Sequence, residues 1–107
     1  MDFIDLQKKA VAIKTKYNKL EIKKFGKKWS TEQQVAGLVV DVGELVELSM
    51  AKSGVKDIDN VDQKIAHELA DCLFSIIVIA EKYDVNLEKS FIDLISNLNQ
   101  RIDKNLV

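Results

Sequence analysis

An all-α fold, arranged as a four-helix antiparallel bundle, is the architecture that the sequence predicts. The 107 residues include no proline and only four glycines, whereas a sandwich or barrel needs a turn about every 8 to 12 residues. Apolar residues recur at alternating spacings of three and four, which is typical of amphipathic helices. The composition, 47% hydrophobic and 31% charged, is that of an ordinary globular chain. We therefore expect residues 1–107 to form a single domain.

The first helix is predicted between Asp2, a plausible N-cap, and Gly26, the latest position at which it can end. Its apolar stripe consists of Phe3, Leu6, Ala10, Ile13, Tyr17 and Leu20. The second helix begins after Ser30 or Thr31, each of which is followed three residues later by a glutamine, as in a capping box. This helix is expected to extend to about Lys52, with a glycine two residues further on as its stop.

The third and fourth helices are separated by a short polar break. Asp59 or Asn60 can cap the third helix, which is expected to end near Tyr83. Asn86 can cap the fourth, which continues nearly to Val107. Helices joined by such short connections pack antiparallel, which completes the predicted bundle.

Several classes of protein are excluded or disfavoured by composition. One cysteine rules out an internal disulfide. The longest uncharged run, residues 72–80, is far shorter than the roughly 20 residues that cross a bilayer. The amino terminus lacks the pattern of a signal peptide, so we expect a cytoplasmic protein. Residues 1–29 hold nine lysines against three acids. A solvated helix face is the first interpretation of these lysines, an anion-attracting surface the second, and nucleic-acid binding is unlikely.

Carboxylates on two apolar helices are the main functional signal. Asp41, Glu44 and Glu47 are the only charges between Val35 and Ala51, and they are like-charge neighbours on one helix. Glu68 and Asp71 repeat this spacing on the third helix. Carboxylates in such surroundings need a compensating cation, and oxygen ligands suit Mg²⁺ or Mn²⁺. The alternative is that the acids face solvent through a groove and bind nothing.

Other metal sites fit the sequence less well. His67 is the only histidine of the chain, so neither a zinc-protease motif nor the paired Glu-x-x-His motifs of a di-iron bundle can be formed. A site for a hard divalent cation is the remaining interpretation.

Three segments together resemble one known family. They are Asp-Val-Gly-Glu-Leu-Val-Glu-Leu at 41–48, Glu-Leu-Ala-Asp-Cys-Leu at 68–73 and Val-Asn-Leu-Glu at 85–88. The first two are similar to the E-x-G-E-L-x-E-L and E-L-A-D-x-L motifs of the MazG-type all-α nucleoside triphosphate pyrophosphohydrolases. The resemblance implies Mg²⁺-dependent cleavage between the α- and β-phosphates of a nucleoside triphosphate, together with assembly into a homodimer or homotetramer.

The resemblance also implies roles for individual residues. The implied metal ligands are Glu44, Glu47, Glu68 and Asp71. The implied substrate-binding residues are Lys52 near the phosphates, Trp29 and Phe25 near the base, and Asp41 in support of a ligand or a water molecule. Spacing leaves open which carboxylate accepts the proton of water, and Glu47 is preferred over Glu44.

The fourth helix departs from the family pattern. The positions at which well-known relatives carry a lysine and an asparagine are Leu94 and Leu98 in this chain. Arg101 keeps a basic residue near that end, and only a shift in register would bring Asn97 or Lys104 into use. This difference leaves a second hypothesis open, a catalytically weak module that binds metal and nucleotide or serves in assembly.

Overall fold

The computed structural model describes residues 1–106, and this part of the chain contains four helices and no strand. The helices are α1 (Phe3–Phe25), α2 (Thr31–Lys52), α3 (Val61–Lys82) and α4 (Leu87–Asp103). The prediction of an all-α fold is therefore confirmed, and the helix bounds lie close to those expected from the sequence. Within residues 1–106, none of the helices is both long and apolar enough to cross a membrane.

Side chains and glycine set the ends of α1 and α2 as expected. The Asp2 carboxylate accepts a hydrogen bond of 3.0 Å from the Asp5 backbone N–H at the start of α1. Gly26 ends this helix in the left-handed conformation, with φ of 80°, which glycine adopts without strain. Ser30 caps α2 in a complete capping box, because its hydroxyl accepts from the Gln33 N–H while the Gln33 side chain accepts from the Ser30 N–H.

The two later helices differ in how they begin. The Asn86 side chain caps α4 by accepting a hydrogen bond of 3.1 Å from the Lys89 N–H. Helix α3 does begin directly after Asn60, but this residue lies in the left-handed region, with φ of 55°, and its side chain makes no cap hydrogen bond. Asn60 is therefore the N-cap residue of α3, as predicted, but with its backbone in the left-handed region its side chain does not cap the helix.

Helices α2 and α3 form an antiparallel pair that contains most of the core. The line of contact between them, called the seam below, contains residues 34, 38, 41, 45 and 48 of α2 and residues 65, 68, 72, 75 and 79 of α3. Gln34 crosses the seam and donates a hydrogen bond of 3.1 Å to the Ser75 hydroxyl, and both residues are buried. At the other end, Lys52 pairs with Asp62 at 2.6 Å.

Helix α1 packs against the C-terminal half of α3, where Val11 and Val78 face a common cavity. Trp29 joins α1 to α2. Its ring lies against the Gly37 backbone, and the Lys14 ammonium lies 5.6 Å from the ring centroid. Lys14 is buried and paired with Glu21 of the same helix at 3.6 Å. The Glu21 carboxylate also accepts a hydrogen bond of 2.8 Å from the Trp29 N–H, so Trp29 is held against α1 by packing and by charge.

Helix α4 is the exception, because none of the residues Leu87–Asp103 is buried. The radius of gyration is accordingly 17.1 Å, whereas a compact domain of this length has about 13 Å. Within one chain, therefore, α4 adds nothing to the buried core.

Candidate metal centre

Three carboxylates from α2 and α3 meet at the middle of the seam. Asp41 and Glu44 are one turn apart on α2, and Glu68 lies opposite them on α3. One oxygen of each lies within 4.8 Å of the others. Because a helix turns by about 100° per residue, Asp41 faces the seam directly and Glu44 stands at its edge. We call these three residues the carboxylate trio.

Glu68 is the most unusual member of the trio. Only 6% of the residue is exposed, and its Oε1 atom is buried without a hydrogen-bond partner in the described part of the chain. Burial, followed by the neighbouring carboxylates of Glu44 and Asp41, raises the pKa of Glu68 to about 7. An unpartnered buried oxygen beside two further carboxylates is an arrangement that a cation would compensate.

A cavity of about 240 Å³ adjoins the trio. Its lining combines acidic, basic and apolar side chains: Glu44, Glu47, Leu48, Ile58, Lys64, His67 and Glu68. Lys64 and His67 add positive or protonatable groups to the wall opposite the carboxylates of α2. The cavity can therefore accommodate a small anionic group close to Glu44 and Glu68.

The other two expected metal ligands stand at the edge of this site. Glu47 lines the cavity, but its side chain is 63% exposed and pairs with Lys56 at 3.4 Å. Asp71 contacts the His67 imidazole at 3.1 Å, one turn earlier on α3. The structure thus brings Glu44 and Glu68 together with Asp41, which was expected only to support a ligand. Asp41 belongs to the seam positions of α2, and that periodicity was the available signal for its position.

The expected substrate-binding residues do not lie together: Phe25 ends α1, Trp29 lies in the connection before α2, and Lys52 ends α2. Lys52 is exposed and its ammonium is paired with Asp62. Phe25 is 75% exposed and lines, with Trp29, a separate cavity of about 360 Å³ that includes Lys27 and Lys28.

Trp29 lies on the same face of α2 as the trio's Glu44. Its ring packs on Gly37, which is seven residues before Glu44, or about 10 Å along the helix. The ring also lies below Lys14, so it has a clear packing role between α1 and α2. An aromatic surface and the carboxylates nevertheless face the same side of the α2–α3 pair.

The donor set of the trio fits a hard divalent cation, because carboxylate oxygens are the ligands that Mg²⁺ prefers in proteins. Comparisons of this chain with protein-family models, with curated proteins and with solved structures give no match. The function must therefore be inferred from the chain's own residues and motifs.

Proposed function

We propose that this chain is a Mg²⁺-dependent nucleoside triphosphate pyrophosphohydrolase, which converts a nucleoside triphosphate and water to a nucleoside monophosphate and pyrophosphate. The observation that carries the metal-binding part is the buried, unpartnered Oε1 of Glu68 beside Glu44 and Asp41. The two acidic motifs support the choice of reaction. The expected cytoplasmic location would give such an enzyme access to nucleotides.

In this proposal the trio holds the cation, and Glu47 and Asp71 are further ligands suggested by the motifs. The bound cation would neutralise charge on the polyphosphate and on the leaving pyrophosphate. Glu47 lines the cavity and is the preferred group to accept a proton from the attacking water. The water oxygen forms a bond to the α-phosphorus while the bond to the bridging oxygen breaks, and the electron pair leaves with pyrophosphate.

Basic and aromatic groups around the site would bind the rest of the nucleotide. Lys64 lines the cavity and Lys56 lies beside Glu47, so both can attract phosphate oxygens. Lys52, expected near the phosphates, would have to exchange Asp62 for the substrate. Trp29 and Phe25 are the proposed contacts of the base, and the Trp29 ring lies against the face of α2 that carries Glu44. Assembly into a homodimer or homotetramer is part of the same proposal.

A catalytically weak module that binds metal and nucleotide, or serves in assembly, is the second candidate. The observation that favours it is on α4, where leucines occupy the two positions at which relatives are expected to bind phosphate. Leu94 and Leu98 are about half exposed, and a leucine side chain has no group that can bind phosphate. In this candidate the carboxylate trio still binds the cation, but turnover of the nucleotide is slow.

Release of pyrophosphate from a panel of nucleoside triphosphates, with and without Mg²⁺, separates the two candidates. We expect Mg²⁺-dependent release that falls by about a hundredfold or more in Glu44→Gln and in Glu68→Gln, because each removes a ligand charge. Glu81→Gln is the matched control, since Glu81 is an exposed acid on the same helix as Glu68.

Two other results of this assay would lead to a different conclusion. Pyrophosphate release that is unchanged in both trio variants would contradict the site. No release from any nucleotide, combined with Mn²⁺ binding that is lost in the trio variants and kept in Glu81→Gln, would favour the binding module instead.

A further inference from the structure

The α2–α3 pair carries two exposed apolar stripes that have no partner in the chain. On α2 the stripe consists of Val35, Val39, Val42 and Val46, and on α3 it consists of Leu69, Leu73 and Ile76. Each of these residues is between 38% and 66% exposed. The spacings of three and four are those of a helix face that packs against another helix.

Both stripes lie on the same side of the pair. Each stripe residue follows a seam residue by one position, as Val42 follows Asp41 and Leu73 follows Cys72. Viewed from one end, the chain turns clockwise in one of two antiparallel helices and counterclockwise in the other. Because the two helices face each other across the seam, the residue that follows a seam residue lies on the same side of the pair in both helices. The two stripes therefore form one surface, which we call the apolar face.

The opposite side of the α2–α3 pair contacts α1 and contains the cavity beside the carboxylate trio. Val78, which faces α1, precedes a seam residue by one position, and so do Glu44 and His67 at the cavity. Helix α1 and the carboxylate trio's cavity therefore share one side, and the apolar face occupies the other. An occupant of the apolar face would leave the cavity open.

Helix α4 has an apolar stripe of matching character. The stripe consists of Phe91, Leu94, Ile95, Leu98 and Ile102, and each is between 45% and 61% exposed. The 17 residues of α4 extend over about 25 Å, long enough to lie along both stripes of the apolar face. Apart from Leu87 and Ile92, the rest of the helix is polar, so it has one side that is suited to burial.

The exposed area indicates how large the missing contact is. The chain exposes 8237 Å², whereas a compact monomer of its mass exposes about 6,000 Å². The excess is roughly 2,200 Å² per chain, or roughly 4,400 Å² for two copies, which falls within the range of obligate homodimers. An obligate interface with a second copy of this chain would be large enough to bury the whole excess.

We infer that α4 of one copy docks on the apolar face of a second copy, and that the second copy returns the same contact. The connection between α3 and α4 favours this exchange over docking within one chain. It is only residues 83–86 long, and Val85 and Asn86 line a cavity together with Gln7 and Val11 of α1, which lies on the side of the pair away from the apolar face. The inference rests on the homo-oligomeric assembly included in the proposed function and specifies its contact, while its test does not depend on the enzymatic activity.

Sedimentation velocity on the full chain tests the inference first. The wild type should sediment with twice the 12.1 kDa mass of one chain. The double variant Leu94→Asp/Leu98→Asp and the double variant Val42→Asp/Leu73→Asp should each be monomeric. Ser96→Asp, on the polar side of α4, should remain dimeric. Because all the altered residues are exposed, circular dichroism should show that α1, α2 and α3 keep their helicity.

A mixture of the two double variants distinguishes exchange from docking within a chain. The variant altered in α4 keeps an intact apolar face, and the variant altered in the apolar face keeps an intact α4. In the mixture, one of the dimer's two contacts can therefore form, with the intact α4 of one variant on the intact apolar face of the other. We expect a mixed dimer at a concentration at which neither variant alone associates. A monomeric wild type, a dimer that persists in the α4 variant, or a mixture that remains monomeric at tenfold higher concentration would each overturn the inference.

Discussion

The protonation of Glu68 links the stability of the folded chain to the chemistry of the candidate site. Its pKa of about 7 in the folded chain is well above the ordinary glutamate value of 4.5, so the folded state holds the proton more tightly than the unfolded state. Its contribution to stability is complete below pH 4.5 and is lost as the pH rises through 7. A cation would reverse this dependence, since it stabilises the ionised carboxylate.

We predict that the free energy of unfolding, measured in urea with a chelator present, falls between pH 4.5 and pH 8 by on the order of 2 kcal/mol through this group. The expected signature is that Glu68→Gln lacks this part of the pH dependence while Glu81→Gln retains it. Equal slopes in the wild type and in Glu68→Gln would contradict an elevated pKa at Glu68.

Lys52 has an expected role near the phosphates and an observed ion pair with Asp62, and the two can be tested separately. If it guides the polyphosphate, Lys52→Ala should weaken binding of a triphosphate more than of its monophosphate, by on the order of 1 kcal/mol. Titrations with Ca²⁺ in place of Mg²⁺ would slow any turnover. Asp62→Asn is the matched control, because it frees the Lys52 ammonium from its 2.6 Å partner without removing it. Equal losses for both ligands in Lys52→Ala would remove Lys52 from the phosphate site.

At the scale of single residues, the sequence indicated four acids as expected ligands, of which only Glu44 and Glu68 belong to the carboxylate trio. Glu44 and Glu68 were expected as ligands and do meet. The grouping of Asp41 with them depends on which side of α2 faces α3, and the burial of Glu68 depends on how closely the helices approach. Both are properties of packing, which local spacing along one helix cannot supply.

The two interior glycines of α2 provide a comparison at the scale of the element. A Cβ atom at Gly43 would meet nothing within 4 Å, whereas one at Gly37 would lie 2.8 Å from Cζ3 of Trp29. Glycine is unfavourable in a helix interior by about 1 kcal/mol relative to alanine. Gly37 therefore has a steric reason to be glycine, and Gly43 has none within the chain.

We predict that Gly43→Ala raises the free energy of unfolding by roughly 0.5 to 1 kcal/mol. Gly37→Ala should instead lower it, because the rigid indole ring and α2 must move apart. Chemical denaturation of both variants gives the comparison, with Trp29 fluorescence as the probe. A gain of stability in Gly37→Ala as large as that in Gly43→Ala would show that the indole yields without cost.

The helix ends show how far prediction extends at this scale. Ser30 with Gln33, and Asp2 before α1, were correctly anticipated because a cap is decided by residues three positions apart. Asn60 failed as a side-chain cap because the loop before α3 places its backbone in the left-handed region. The course of a loop depends on the two helices that it joins, and that information is not local.

For the whole molecule, the sequence predicted four helices but not the position of the fourth. An apolar stripe predicts that one side of a helix will be buried, but it does not predict which surface will cover that side. The connection at residues 83–86 is short enough for α4 to return along α3, yet no residue of α4 is buried within the chain. The buried residues belong instead to α1, α2 and α3, which makes these three helices the stable unit of one copy.

Amide hydrogen exchange should therefore divide the molecule into two parts. An isolated helix of about 17 residues is only marginally stable in water, because tertiary packing supplies most helical stability. In dilute solution, we expect amide protons of α4 to exchange close to the rate of an unstructured peptide, while those along the seam, such as at Cys72 and Val78, exchange only on global unfolding. The protection of α4 should then depend on protein concentration and that of the seam should not, so the C-terminal helix would report, amide by amide, how many copies of the chain are present.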